Sequence, residues 1–470
     1  MRCAKLSLFS CIMQTDILII GAGASGLMAA YGAADTLLEM GSSHQVCLVE
    51  KMPKAGRKIM ITGKGRCNFS NFKDWNAFSA HVRSGSNLLK PAFFNLTPQK
   101  LQDFFESNGM PTVVERGDRA FPESRHAGDV VDCLLRACLG KGVKFLAECP
   151  VCGIEHLEDG RFLARFENGE QIFCSRLILA TGGLSYPGSG SSGDGLRWAR
   201  DCGHKTGQLF PSLTALVPKG YKLESDSFKP ELPCHIHRQS PLSELGSKLC
   251  GTSLKNVGVQ LYVQDTPVQE EFGDIDFTDG GIEGPAGFSV SRKAVKALVN
   301  GSKVKLVLDL KQPVSLTELT QRVKELWSEV DKDPRSRNLK EKEKCRILLG
   351  KLLPWELIPA FVACNPGIMT LERRSRTDTK LWINLPSIAK ALKCWSFDIE
   401  GFVAWERAVV TAGGVSASDV VAKTLESRLV KGLHFCGEML DIDCDTGGYN
   451  LHSAFATGLL AGQSAAKSLQ

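Results

Sequence analysis

Residues 16–68 hold two clusters whose types and spacing suit the binding of a phosphorylated ligand. The apolar run Asp16-Ile-Leu-Ile-Ile20 enters Gly21-Ala-Gly23-Ala-Ser-Gly26, a small-residue stretch follows to Met40, and Val46-Cys-Leu-Val leads to Glu50. A strand, a Gly-x-Gly-x-x-Gly turn, a helix, a second strand and then an acid make up the dinucleotide fingerprint. Gly21 permits the tight turn, Gly23 lets a diphosphate approach the backbone, and Gly26 lets helix and strand pack closely. The free N–H groups and positive end of the helix attract phosphate, and Glu50 suits ribose hydroxyls.

The second cluster is Gly56-Arg-Lys-Ile-Met-Ile-Thr-Gly-Lys-Gly-Arg-Cys-Asn68, a loop of glycines, cations and small polar groups. It is suited to wrapping a diphosphate and to placing Arg66 and Asn68 against a flavin edge. The third, Ala180-Thr-Gly-Gly-Leu-Ser-Tyr-Pro-Gly-Ser-Gly-Ser-Ser-Gly-Asp-Gly195, runs from a strand into a glycine-rich loop. Asp194 is expected to cap the helix that follows. In the fourth, Gly432-Leu-His-Phe-Cys-Gly-Glu438, then Asp441, then Gly447-Gly-Tyr-Asn-Leu451, the chain enters a helix predicted over 453–467. Glu438 suits ribityl hydroxyls. The helix N-terminus, with Asn450 as its expected cap, suits the flavin pyrimidine, where reduction builds negative charge. A ligand touched by motifs at both ends of the chain is long. With no second fingerprint of the same context, that favours FAD over a separate NAD domain.

The elements around these motifs alternate. Helices are predicted over 99–108, 129–140, 285–300, 315–330 and 340–363, the last with a break at Pro354, and Glu167-Asn-Gly169 signals a hairpin. From about Phe210 proline and short alternating runs replace the glycine-rich texture, which returns from Glu406, so a domain begins, is interrupted and resumes. The 470 residues carry 57 basic and 51 acidic side chains for a net charge of +6, with 43% hydrophobic residues, which excludes a disordered or fibrous chain. Seventeen scattered cysteines, an odd count in a long chain, argue against a secreted disulfide framework and for a cytoplasmic setting. No membrane span is expected. Met1–Ile12 reads as a short tail, with Met13 as an alternative start.

At these motifs the chain resembles the bile-acid-dehydroreductase-like (BaiN-like) FAD/NAD(P)-dependent oxidoreductases of the glutathione-reductase flavoprotein superfamily. The matching stretches are DILIIGAGASGLMAA, GRKIMITGKGRCNFSN, ATGGLSYPGSGSSGDG and the run from Val410 to Gly458. The resemblance implies an α/β fold: a Rossmann-like FAD-binding domain over 13–207 and 406–470, interrupted by a small β-barrel over 208–284 and 369–405 and a helical subdomain over 285–368. It implies FAD contacts from Gly21, Gly23, Ala24, Ser25, Gly26, Glu50, Lys51, Arg57, Thr62, Gly63, Gly65, Arg66, Cys67 and Asn68. Further along, it implies Ala180, Thr181, Gly182, Gly183, Gly437, Glu438, Gly448, Asn450 and Leu451, with Val151 beside adenine through its backbone. Where the family tends to read Asp-Gly-Tyr-Thr, this chain has Asp443-Cys-Asp-Thr446, a departure next to the expected flavin.

The implied activity is transfer of hydride from NAD(P)H through flavin to a conjugated small molecule such as an enone, with Tyr186 and Tyr449 as candidate acids. A tRNA-modifying flavoprotein and a flavin-binding sensor without turnover are the alternatives. Other features read as structural. Cys149-Pro-Val-Cys152 falls in a predicted strand, where its thiols face opposite sides. Cys234-His-Ile-His237 puts two histidines on one predicted strand face without a third ligand, and no metal is expected. Residues 292–346 hold 15 basic and 8 acidic residues, but Glu325, Glu341 and Glu343 fall at helical spacing, so a solvated face rather than a nucleic-acid surface is expected.

Overall fold

The structure, a computed structural model, describes residues 12–223, 230–373 and 379–470. All of the N-terminal tail but Ile12 lies outside them. The chain forms two compact units, one running to Pro211 and resuming at Val409, the other Ser212–Ala408.

The core of the first unit is a parallel sheet in the order Lys144–Leu146, Val46–Val49, Ile12–Ile20, Gln171–Leu179, with Leu433–Phe435 pairing to the end of Gln171–Leu179. Phe162–Phe166 pairs antiparallel with Gln171–Cys174, the hairpin read at Glu167-Asn-Gly169, and Val151–His156 completes the sheet. Ile17–Ile19 and Leu177–Leu179 are fully buried, which is why these strands are continuous apolar runs: a parallel sheet is covered on both faces. The first strand starts at Ile12, not at Asp16 as its apolar run suggested. The polar residues Gln14 and Thr15 are carried because the segment pairs with Gln171–Cys174.

Helix Ala24–Glu39 packs against helix Gly447–Lys467 almost backbone to backbone. A Cβ on Gly458 would lie 2.2 Å from Ser25 O, and one on Gly462 would lie 2.0 Å from Ala29 O. The later helix begins six residues before the predicted 453, because Gly447 and Gly448 already lie in its first turn.

The second unit is built on a closed six-stranded barrel. Leu216–Pro218, Gly281–Glu283, Thr266–Thr278, Ser253–Val263, Val304–Asp309 and Trp395–Phe402 follow one another around it. Helices Glu244–Leu249, Gly284–Val299, Leu316–Lys332, Glu341–Gly350, Ile358–Cys364 and Leu385–Lys393, with the hairpin of Met369–Arg373 and Thr379–Ile383, belong to the same unit. The span 285–368, expected as a helical subdomain, contains one strand as well as its helices. Val304–Asp309, between the two predicted helices, alternates buried and half-buried residues and closes the barrel between two other strands. Nor do His235 and His237 lie on a strand. His235 makes one isolated bridge to Phe402, and His237 pairs with Glu406 at 3.2 Å. Among the described residues no helix is long and apolar enough to cross a membrane.

Candidate functional site

The first unit carries a long cleft at the carboxyl ends of its parallel strands, the side on which open α/β sheets bind ligands. Its lining comes from six separated stretches: 20–25, 49–62, Cys149 with Val151, 180–198, 409–410 and 437–457. Of the residues singled out in the sequence, the cleft brings together Gly21, Gly23, Ala24, Ser25, Glu50, Lys51, Arg57, Thr62, Val151, Ala180, Thr181, Gly182, Gly437, Glu438, Asn450 and Leu451.

At one end the fingerprint glycines have three different surroundings. Gly21 has φ +103°, the left-handed region, and a Cβ there would lie 2.5 Å from Ala180 O. A Cβ on Gly26 would lie 1.7 Å from Gly21 O, so helix and strand could not close. Gly23 is extended, with φ −79°, and a Cβ there meets no atom within 4 Å. No side chain caps the helix that Gly23 starts, so its first N–H groups face the cleft. Glu50 accepts from Ala22 N–H at 2.8 Å and Met52 N–H at 2.9 Å, which fixes its carboxylate beside this turn.

The middle of the cleft holds ionic pairs that sequence reasoning did not find. Lys58 Nζ donates to Glu438 Oε2 at 2.6 Å and to Ser185 Oγ at 2.8 Å. Ser185 Oγ–H donates to Glu438 Oε1 at 2.8 Å, and Thr411 N–H donates to the same oxygen. Thr411 Oγ1 in turn accepts from Leu184 N–H and Ser185 N–H. Burial alone would raise the Glu438 carboxyl pKa. The Lys58 charge and the bonds from Lys58, Thr411 and Ser185 outweigh it and hold the group below the usual carboxylate range. Lys51 pairs with Asp194 at 3.0 Å. Asp194 is not the cap of its helix: Gly193 holds that position and Asp194 is the first helical residue, its carboxylate turned to Lys51 and Ser192. Burial opposes ionisation there too, and the bonds from Ser192 and Lys51 prevail and lower its pKa.

At the other end Thr446, not Asn450, precedes the helix. Asn450 lies within its first turn and clamps Cys444, accepting from its N–H at 3.0 Å and donating to its carbonyl at 2.9 Å.

Gly26, Gly63, Gly65, Arg66, Cys67, Asn68, Gly183, Gly448, Tyr186 and Tyr449 are not brought into the lining. Arg66 is drawn away by Glu115, at 2.7 Å, and by the Phe121 ring, 4.6 Å from its guanidinium carbon. The Asn68 amide faces the Ser70 and Ala120 carbonyls, and the orientation that satisfies both has its nitrogen donating to them. Cys67 is fully buried, and its thiol pKa is pushed up to about 12 by burial. Tyr186 follows Ser185 in a left-handed turn. Tyr449 is 6% exposed, stacked on His81 at 4.4 Å, with burial raising its hydroxyl pKa to about 12. Cys149 lies before the strand Val151–His156, not within it, and burial raises its thiol pKa. It and the exposed Cys152 are both free.

A family profile described as "HI0933-like protein Rossmann domain" matches residues 15–464. A protein of Clostridium scindens named 3-dehydro-bile acid delta(4,6)-reductase is 30% identical over 455 residues, 96% of this chain and 98% of that protein. Proteins named ribosomal RNA dihydrouridine synthase are 27% identical in Haemophilus influenzae and 26% in Escherichia coli. These matches cover 94% and 95% of this chain, and 96% and 97% of theirs. Among solved structures, the Mycobacterium smegmatis Sdh1 complex in the apo form aligns with 97% of this chain and 69% of its own, at 15% identity and a TM-score of 0.49.

Proposed function

Because this chain belongs to the HI0933-like Rossmann-domain family and is an oxidoreductase by that kinship, we propose that its cleft holds FAD and reduces a carbon–carbon double bond conjugated to a carbonyl, with NAD(P)H as the electron source. The observation that carries the reading is Gly23. Its backbone angles suit any residue and the protein leaves space for a side chain, so nothing in the fold requires glycine there. A ligand lying against the Cα supplies the requirement. Uncapped helix N–H groups beside it suit a diphosphate, and Glu50 suits a ribose. Gly437 and Glu438, then Asn450 and Leu451, line the part of the cleft that suits the ribityl chain and ring.

Bound flavin supplies two-electron chemistry, and the chain supplies position and charge. A bile-acid-type enone suits this chemistry, consistent with the 30% identical relative. A uracil ring in RNA is the second acceptor, favoured by the two dihydrouridine synthase relatives; its double bond is also conjugated to a carbonyl. The test is a visible spectrum of the purified protein, followed by anaerobic bleaching with NADH or NADPH. Reoxidation is then attempted with a 3-oxo-4-ene steroid acid and, separately, with uridine-containing ribosomal RNA. A yellow protein bleached by NAD(P)H and recoloured by one of these acceptors supports the reading. A colourless protein that takes up no added flavin overturns it, and a bleached flavin that neither acceptor recolours leaves a flavoprotein without this reductase activity.

A further inference from the structure

Resting on the reductase reading, we propose that Lys58 is the acid of the reaction, delivering from Nζ the proton that the acceptor's carbon takes up, with Glu438 and Ser185 as its positioning residues. Reducing a conjugated double bond adds a hydride, an electron pair with its hydrogen, to the carbon β to the carbonyl. The π bond breaks, charge moves to the carbonyl oxygen, and the α carbon then takes a proton. The hydride comes from reduced flavin and ultimately from NAD(P)H. The proton must come from a group in the cleft, and its donor is left as a neutral amine that solvent reprotonates.

The lining offers few such groups. Both tyrosines lie outside it. The Arg57 guanidinium does not give up its proton. Glu50 receives backbone N–H groups at both oxygens. Asp194 and Glu438 are held as carboxylates by their lysines. Cys149 donates its S–H to Ala147 O, beside the strand that carries Glu50. Lys51, next to Glu50, is committed to Asp194 and Ser192. Lys54 is exposed, with no hydrogen bond or ion pair from its side chain among the described residues.

Lys58 and Lys51 are alike in exposure, 28% and 29%, and each gives two of its three ammonium hydrogens to a carboxylate and a serine, with no third partner among the described residues. They differ in the carboxylate, Glu438 being 17% exposed and Asp194 26%. Glu438 is itself fixed by Ser185 and by the Thr411 N–H, so the amine is held by a partner that cannot swing away. A charged pair of restricted exposure inside a cleft, closed by further hydrogen bonds, is an arrangement suited to proton transfer.

Lys58→Arg tests this, because arginine keeps the charge and the pairing with Glu438 but is not a usable acid. The reduced enzyme is reoxidised by whichever of the two acceptors recolours the wild type, and in parallel by ferricyanide, which takes electrons without protonating carbon. The ratio of the two rates is expected to fall about 100-fold or more, the scale of general acid catalysis. Visible absorbance reports bound flavin, and its perturbation by the saturated steroid acid reports ligand binding. In Glu438→Gln the solvent deuterium isotope effect on acceptor reduction is expected to rise above that of the wild type. A Lys58→Arg ratio within threefold of wild type overturns the proposal, as does a fall explained wholly by lost flavin or lost ligand binding. Failure of the wild type to be recoloured by either acceptor strikes at the reductase reading instead.

Discussion

Gly23 and Lys58 make opposite demands on the fold, and their substitutions separate ligand binding from stability. Gly23→Val adds a side chain where the protein has room, so thermal unfolding of the ligand-free protein is expected to stay within a few degrees of wild type. Bound flavin absorbance is expected to disappear. A variant that is both stable and yellow would place the diphosphate elsewhere. Lys58→Met strands the Glu438 carboxylate, which is only 17% exposed, and breaking a pair of this kind costs up to about 3 kcal/mol. The sign of its pH dependence follows from the lowered Glu438 pKa. The pair's stabilisation is fully present above the unfolded carboxyl value of 4.5 and is lost as pH falls through the folded one. The gap in melting temperature between wild type and Lys58→Met should therefore narrow on acidification below about pH 4.5.

At the scale of elements, the helix Gly447–Lys467 carries a second acid-sensitive group. His452 is fully buried, its Nδ1 2.9 Å from Ser70 Oγ and its ring among Phe78 and Phe93. Burial lowers its pKa from 6.5 to about 3. Between those values the unfolded chain binds the proton that the folded one refuses, so stability falls as pH drops below 6.5, by on the order of 2 kcal/mol at about pH 5. His452→Phe is expected to flatten that part of a melting-temperature profile, and an unchanged slope would contradict the assignment. What the sequence made legible was local. The turn from Ile20 to Gly26 declares itself within seven residues, and the helices with apolar periodicity lie within a few residues of prediction. Val304–Asp309 escaped because six alternating residues lie between two stronger helical patterns in a lysine-rich stretch, and only its barrel neighbours define it. The Lys58 network was invisible for another reason: its serine and glutamate partners lie 127 and 380 residues away, and none of the three is distinctive by type. The pairing of Arg66 with Glu115 was equally invisible, the two lying 49 residues apart.

Across the first unit, the contact between helices Ala24–Glu39 and Gly447–Lys467 joins two of the stretches that line the cleft. Gly458→Val would thrust a side chain against Ser25 O, 2.2 Å from its Cβ. The helices would have to separate, at a cost of about 1–3 kcal/mol or more. Unlike Gly23→Val, this variant is expected to lose melting temperature and flavin together. Retained stability would show that the helices slide past the obstruction.

That helix pair also sets an order of events in the life of the polypeptide. A ribosome that has released only the segments up to Phe435 has made every parallel strand of the sheet, but not the stretch from Gly437 to Thr457 that walls the cleft. Loading of the proposed flavin is therefore expected to wait until that stretch has been made, and a product truncated before Gly437 is expected to be colourless however well its sheet has formed.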